Sequence, residues 1–334
     1  MRSLPGLAFA DRSALFDELM TIDTDADVVS FSLGGRTTWL LSEASLGRAT
    51  LSSEHVRKGR SPSSARGVGG YVSLGGDRFA SARADVIAAL RRAARDEAGL
   101  VAAQARPGTC LALVAHLAGD VPEGAFAESL AVLLRELTTR PDAETDQRRR
   151  VVGQLTTALS SESSFVRELV ARGWALTAIA SEIIALSFAG WPSLAAAVRS
   201  AGTLGVTGSS VTDDTVSELL RVAPPAWLIV RECLRPLQLT GVSVPAGGLV
   251  MISPWLLHRD DRAWPDSAAF VPARPGLRGS PWYLPFGLGR RNCPAELYSR
   301  AFLHAALSLS AGRPPARHVR PGLLGGRSAC LLPA

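Results

Sequence analysis

The sequence predicts a mainly α-helical fold with small β-sheets, and three observations carry that prediction. From Asp77 to Arg172 apolar positions such as Val86, Ala89 and Leu90 recur at helical spacing, broken at Pro107-Gly108 and Pro141-Asp142. Trp174 to Val198 is one long apolar run. Strand-like patterning is confined to a stretch near the start and to the turn-rich region beyond Trp227. With 334 residues, 47% apolar and 20% charged, the chain can bury a large core, which excludes a disordered or fibrous protein. No internal repeat divides it, and 1–334 reads as a single domain.

A short helix is expected over Ser13 to Met20. Two strands follow, Val28 to Gly35 and Thr37 to Ser42, joined by a Gly-Gly-Arg turn suited to a hairpin. The polar, Gly- and Ser-rich segment from Ser52 to Gly76 reads as a loop. Trp174 to Val198 has the length of a membrane span, yet it contains Glu182, several hydroxyls and Pro192, and no anchor residues flank it. A buried central helix is the reading, with no membrane partner. Asp213 to Val222 reads as a helix capped by Thr212 and ended by Pro224-Pro225. The last helix, LYSRAFLHAALSLS, follows Cys293.

The net charge of +6 comes almost wholly from arginine, Lys58 being the one lysine. The densest run, Arg148 to Arg150, is short, lies in a helical pattern and has no interleaved aromatic residues, so it reads as a solvated face and not as a nucleic-acid site. Cys110, Cys233, Cys293 and Cys330 are far apart and form no CxxC pair, which excludes a secreted disulfide framework and a zinc knuckle. The first residues lack a charged-then-apolar leader pattern, so a cytoplasmic location is expected. His116 and His304 lie in helical patterns and read as core or surface residues, and no second metal site is proposed.

The sharpest feature is the loop Pro285-Phe286-Gly287-Leu288-Gly289-Arg290-Arg291-Asn292-Cys293-Pro294-Ala295. Pro294 suits the first position of a helix, and a thiol at a helix N-terminus is biased towards thiolate, a good soft metal ligand. Gly287 and Gly289 let the loop bend tightly under a flat cofactor, while Arg291 offers a planar cationic fork for a carboxylate. Taken alone, Cys293 reads as a structural thiol. Upstream, Glu218 and Arg221 share one helix face at i and i+3, and Arg274 offers a second arginine.

In this order and spacing the segments resemble the cytochrome P450 family of haem-thiolate monooxygenases. The family's Phe-x-x-Gly-x-Arg-x-Cys-x-Gly signature is matched by Phe286, Gly289, Arg291 and Cys293, with Ala295 in place of the last glycine. Its Glu-Arg-Arg triad is matched by Glu218, Arg221 and Arg274, which lock the scaffold of the cysteine loop. The resemblance implies the cytochrome P450 fold, with haem b lying between the long central helix and the Cys293 loop. It makes Cys293 the axial iron ligand, whose thiolate pushes electron density onto iron. Arg83, Arg231 and Arg291 match positions that hold the haem propionates. Where the family has a histidine four residues before Arg83, this chain has Phe79, so one propionate contact is expected to be missing. His258 falls in a scaffolding segment of the family.

The family's central helix carries Ala-Gly-x-acid-Thr, which is matched by Ala189, Gly190, Trp191, Pro192 and Ser193. Proline in place of the acid cannot relay a proton and is expected to kink the helix; Ser193 keeps a hydroxyl as the candidate catalytic group, and Trp191 is expected to face the core. Weak proton delivery to bound oxygen follows as an expectation. The chain is also short for the family, which suggests one helix fewer and an open distal pocket for a large or carrier-tethered small-molecule substrate. The implied activity is oxidative tailoring of a natural product in secondary metabolism, with a ferredoxin-type electron donor docking on a basic surface that includes Arg91 and Arg92. Two alternatives stay open: peroxide-dependent, coupling, cyclisation or rearrangement chemistry, and a non-catalytic relative that binds haem or a carrier protein.

Overall fold

Six strands make the larger sheet, and the chain reaches it from both ends. β1 (Arg2–Leu4) lies parallel to β2 (Val28–Leu33), with α1 (Arg12–Leu19) between them in sequence. β2 and β3 (Arg36–Leu41) form the expected hairpin, turning at Gly35 with φ +75°. The structure, a computed structural model, describes residues 2–4, 12–19, 21, 26–33, 35–58, 70–71, 74, 76–119, 121–139 and 145–310. The expected break at Pro141-Asp142 and Cys330 lie outside them.

After α2 (Ala44–Ser52), capped by Glu43, comes β4 (Val56–Lys58), inside the segment that reads as loop. Its polar sequence has no alternation to betray it. It is a strand because β5 (Ile229–Cys233), far along the chain, pairs with it.

The helical layer follows. α3 (Gly76–Ala93) packs on α8 (Ser164–Ala171), tied by Arg92–Glu168 at 2.9 Å and by Asp85, which receives bonds from Arg172 and the Trp174 indole at 3.0 Å each. Between them run α4 (Glu97–Ala103), α5 (Gly108–Ala118), α6 (Ala125–Thr139) and α7 (Asp146–Ala158). Arg148 to Arg150 stand on α7, and the Arg149–Asp146 ion pair is solvent-exposed.

α9 (Leu176–Thr203) is the longest helix described, and it packs against α5, α7 and α8. It is long and apolar enough by composition to cross a membrane, and 50% of its most apolar window is buried inside the fold. Trp191 faces the main helical core, as expected, although its indole nitrogen is buried with no partner among the described residues. Pro192 lies within α9, which continues past it to Thr203.

α10 (Asp213–Val222) has the bounds its sequence predicts, with Thr212 accepting from the Thr215 N–H at 3.2 Å. Asp213 and Asp214 in its first turn and Arg221 in its last complement the helix dipole. β6 (Leu237–Leu239) and β7 (Val242–Val244) make a separate hairpin. β8 (Leu249–Ile252) completes the main sheet in the order β1-β2-β3-β8-β5-β4. α11 (Pro254–Leu257) follows at once, and α12 (Glu296–Ser308) is the last helix described.

Candidate functional site

The scaffold under the cysteine loop is built from buried charge. Glu218 and Arg221 are fully buried and joined at 2.8 Å through both carboxylate oxygens. The Arg221 guanidinium also donates to the carbonyls of His258, Ser267 and Ala269, and Arg274 reaches Glu218 at 3.2 Å. One α-helical ion pair therefore holds three carbonyls, in two segments of irregular chain, that have no ladder partner. His258 carries the scaffold on: Nδ1 faces the Arg221 carbonyl at 3.2 Å, while Nε2 accepts the Leu284 N–H at 2.8 Å. Those partners select the neutral tautomer protonated on Nδ1. Burial pushes its pKa down to about 3, so it stays neutral as it grips the residue just before Pro285-Phe286.

From that anchor the loop closes on itself. Gly287 and Gly289 take positive φ (+67° and +76°), and the Cys293 N–H donates to the Phe286 carbonyl at 2.8 Å. Gly289 is also required for packing, since a Cβ there would overlap the Leu51 carbonyl at the end of α2. The Arg300 guanidinium lies 5.3 Å from the centre of the Phe286 ring.

The helix after Cys293 differs from expectation. α12 begins at Glu296 with Ala295 as its cap residue, so Pro294 stands before the helix and not at its first position. Among the described residues the Ala295 N–H and Arg83 favour the Cys293 thiolate, while the Glu296 charge opposes it. Burial outweighs the two favourable influences and pushes the thiol up. A cation beside the sulfur, such as a metal ion, would favour the thiolate form.

Arg83 acts on this sulfur, and Arg231 and Arg291 act on one another. Arg83 donates to the Asn292 carbonyl at 2.9 Å, to its side-chain oxygen at 2.6 Å, and to the Tyr71 hydroxyl at 3.2 Å. Arg291 lies over the Phe79 ring at 3.9 Å. Arg231, on β5, is 8% exposed; its guanidinium donates to its neighbour's carbonyl, Val230, and no carboxylate among the described residues pairs with it. Burial, then repulsion from Arg291, pulls its pKa down. A buried cation repelled by a second one beside it is stable only if an anion compensates it.

Other residues singled out in the sequence stand on α9. Gly190 of α9 faces Leu113 of α5, and Ala189 and Ser193 flank it on the same helix. The contact between α9 and the Arg83 group runs instead through Glu182, whose carboxylate accepts the Tyr71 N–H at 2.7 Å. Burial raises the Glu182 pKa to about 7. Glu182 and Ser193 are 11 positions apart, about 16 Å of helix. Tyr71 and Asn292 are the members of this cluster that sequence reasoning passed over. Neither stands in a periodic pattern, and only proximity to Arg83 marks them.

Comparison with known proteins fits this geometry. Residues 210–308 match the family model described as Cytochrome P450. Over 109 residues the chain is 38% identical to cyclooctatin synthase of Streptomyces melanosporofaciens, covering 30% of this chain and 23% of that one. It is 35% identical over 106 residues to cytochrome P450 71D8 of Glycine max, covering 30% and 21%. The matched stretch thus spans about a fifth of the length of these curated relatives. In fold the likeness is wider. A six-coordinated cytochrome P450 of Thermus thermophilus superposes with a TM-score of 0.64 at 21% identity, covering 92% of this chain and 90% of that one. The mycinamicin VIII C21 methyl hydroxylase of Micromonospora griseorubida gives 0.64 at 17%, covering 92% and 91%.

Proposed function

We propose, for a chain that belongs to the cytochrome P450 family, that Cys293 is the axial ligand of a haem b and that the protein is an oxidoreductase tailoring a small natural product. One observation carries the reading: Arg231 is buried, feels the charge of Arg291 and meets no carboxylate among the described residues, while Arg83 fastens Asn292, the residue before Cys293. A cofactor with carboxylates and a cationic metal suits these groups, a carboxylate offsetting the buried Arg231 and the metal offsetting a thiolate at Cys293. The residues present therefore fit haem.

Arg83, Arg231 and Arg291 are assigned to the carboxylates. Phe286, Gly287 and Ala295 are assigned to the cradle, Ala295 through the N–H it gives the sulfur. When bound, such a cofactor supplies oxygen activation at an iron made electron-rich by its thiolate. The protein's own part is to hold the sulfur in a dry loop, where its N–H bond and Arg83 temper its basicity, and to orient the cofactor through its edge. On α9, Ala189 and Gly190 are assigned to the cofactor's other side, and Ser193 is the candidate catalytic hydroxyl.

The substrate class is supported by the relatives: cyclooctatin synthase, tabersonine 3-oxygenase and salviol synthase are names borne by those proteins. A ferredoxin-type donor, an open pocket that admits carrier-tethered substrates and a cytoplasmic location complete the reading. Its support is the arginine excess and the bacterial structural neighbours. Pro192 within α9 favours a second reading, in which the oxidant is peroxide or the product is a coupled or rearranged ring.

The test is the absorption spectrum of the haem-loaded, reduced, carbon-monoxide-bound protein. A far-shifted Soret band that disappears in Cys293→Ser is expected. A band at the position given by imidazole ligation, or one unchanged in the variant, refutes the assignment. Comparing turnover with peroxide against turnover with a ferredoxin system then separates the two oxidant readings.

A further inference from the structure

One buried donor beside Arg83 meets no acceptor for its hydrogen among the described residues. Tyr71 is 3% exposed, and its hydroxyl oxygen accepts from Arg83. Among the described residues no acceptor meets the hydroxyl hydrogen. A buried O–H left without an acceptor is rare in folded proteins and calls for an explanation.

Resting on the haem reading above, we propose that Tyr71 is a further cofactor-binding residue, its hydroxyl donating to one of the haem carboxylates. Its neighbours argue for this. Arg83 joins the hydroxyl to Asn292, the residue before Cys293. The Tyr71 ring lies 5.5 Å from that of Phe79, on which Arg291 rests. Phe79 has no polar atom to offer, so the donor on this side of the arginine group is the phenol beside it. Arg83, by donating to the phenol oxygen, polarises the O–H and makes it a better donor. Burial pushes the Tyr71 pKa up to about 12, which keeps the proton in place.

The backbone around Tyr71 is fastened in a way that a passive space-filler does not need. Its N–H is held by Glu182 of α9 at 2.7 Å. Gly70 takes φ +70°, and a Cβ there would meet the Glu182 carboxylate at 2.6 Å and the Ala185 Cβ at 2.8 Å. The strap from Gly70 to Tyr71 is therefore pressed onto α9, and the hydroxyl is preorganised towards Arg83.

The experiment loads the full-length protein with haem or with haem dimethyl ester, whose carboxylates are blocked. Release to an excess of apo-globin is followed in the Soret band. Tyr71→Phe is expected to release haem about ten-fold or more faster than wild type, as loss of one hydrogen bond to a charged group predicts. With the dimethyl ester the two proteins are expected to release alike. Tyr71→Phe/Phe79→His, which restores a donor at the neighbouring ring, is expected to slow haem release again. Equal release of haem from wild type and Tyr71→Phe overturns the proposal, as does equal acceleration with both pigments, which marks a packing role. If wild type itself shows no thiolate-type Soret band, the haem reading falls first; if it shows one and the variant does not differ, only the role of Tyr71 falls.

Discussion

Glu218→Ala tests the charge scaffold under the cysteine loop. The carboxylate removed accepts two bonds from Arg221 at 2.8 Å, one from Arg274 at 3.2 Å and one from the Val271 N–H at 2.9 Å, all in a site where Glu218 and Arg221 have no exposure. Stripping one partner from a buried ion pair costs about 3–5 kcal/mol, and stranding a buried N–H adds roughly 1–3. Against a total stability of about 5–15 kcal/mol, this is a large share. Taking the loss as about 4 kcal/mol and a urea slope of about 3 kcal/mol per M, the unfolding midpoint falls by about 1.3 M. Trp264 is a local reporter, because its ring lies 5.6 Å from the Arg221 guanidinium and its N–H is bonded to the Leu257 carbonyl. Urea titrations followed by tryptophan fluorescence supply the measurement, with Asp146→Ala as control. That variant breaks an exposed pair and is expected to move stability by less than about 1 kcal/mol. A Glu218→Ala midpoint within about 0.3 M of wild type refutes the view that this pair holds the scaffold.

Two further perturbations address the loop and the central helix. Gly289→Ala combines a strained φ with overlap on the Leu51 carbonyl, so a thermal melt of the variant is expected to begin several degrees below wild type; an unchanged melt contradicts the packing described. Glu182 has its folded pKa raised to about 7 from 4.5 by burial, so its contribution to stability is full below pH 4.5 and is lost as pH rises through 7. Glu182→Gln keeps an acceptor for the Tyr71 N–H and removes that loss, so it is expected to gain on wild type in denaturant midpoint between about pH 5 and about pH 8.5. A constant difference across that range counts against a buried, titrating carboxylate.

The architecture around the site was legible wherever local chemistry decides structure. Thr212 followed by two aspartates, an amphipathic run and two prolines could only be a capped helix, and α10 has those bounds. The glycines of the cysteine loop announced its bends, and Glu218 with Arg221 announced a paired helix face. Where the sequence was ambiguous, partners distant along the chain settled the matter. Val56–Lys58 has no strand signal of its own and is paired by β5. The start of α12 moved two residues because Ala295 directs its N–H to the sulfur.

Residue types and their spacing, on their own, determined which family this chain resembles and which cysteine and arginines that resemblance singles out. Only the tertiary structure decided that burial pushes the Cys293 thiol up, that the charge of Arg291 acts on the buried Arg231, and that Glu182 straps Tyr71 against α9. Desolvation and long-range electrostatics depend on which side chains surround a group. That environment forms when segments far apart in the chain close on one another, and a one-dimensional pattern does not record it.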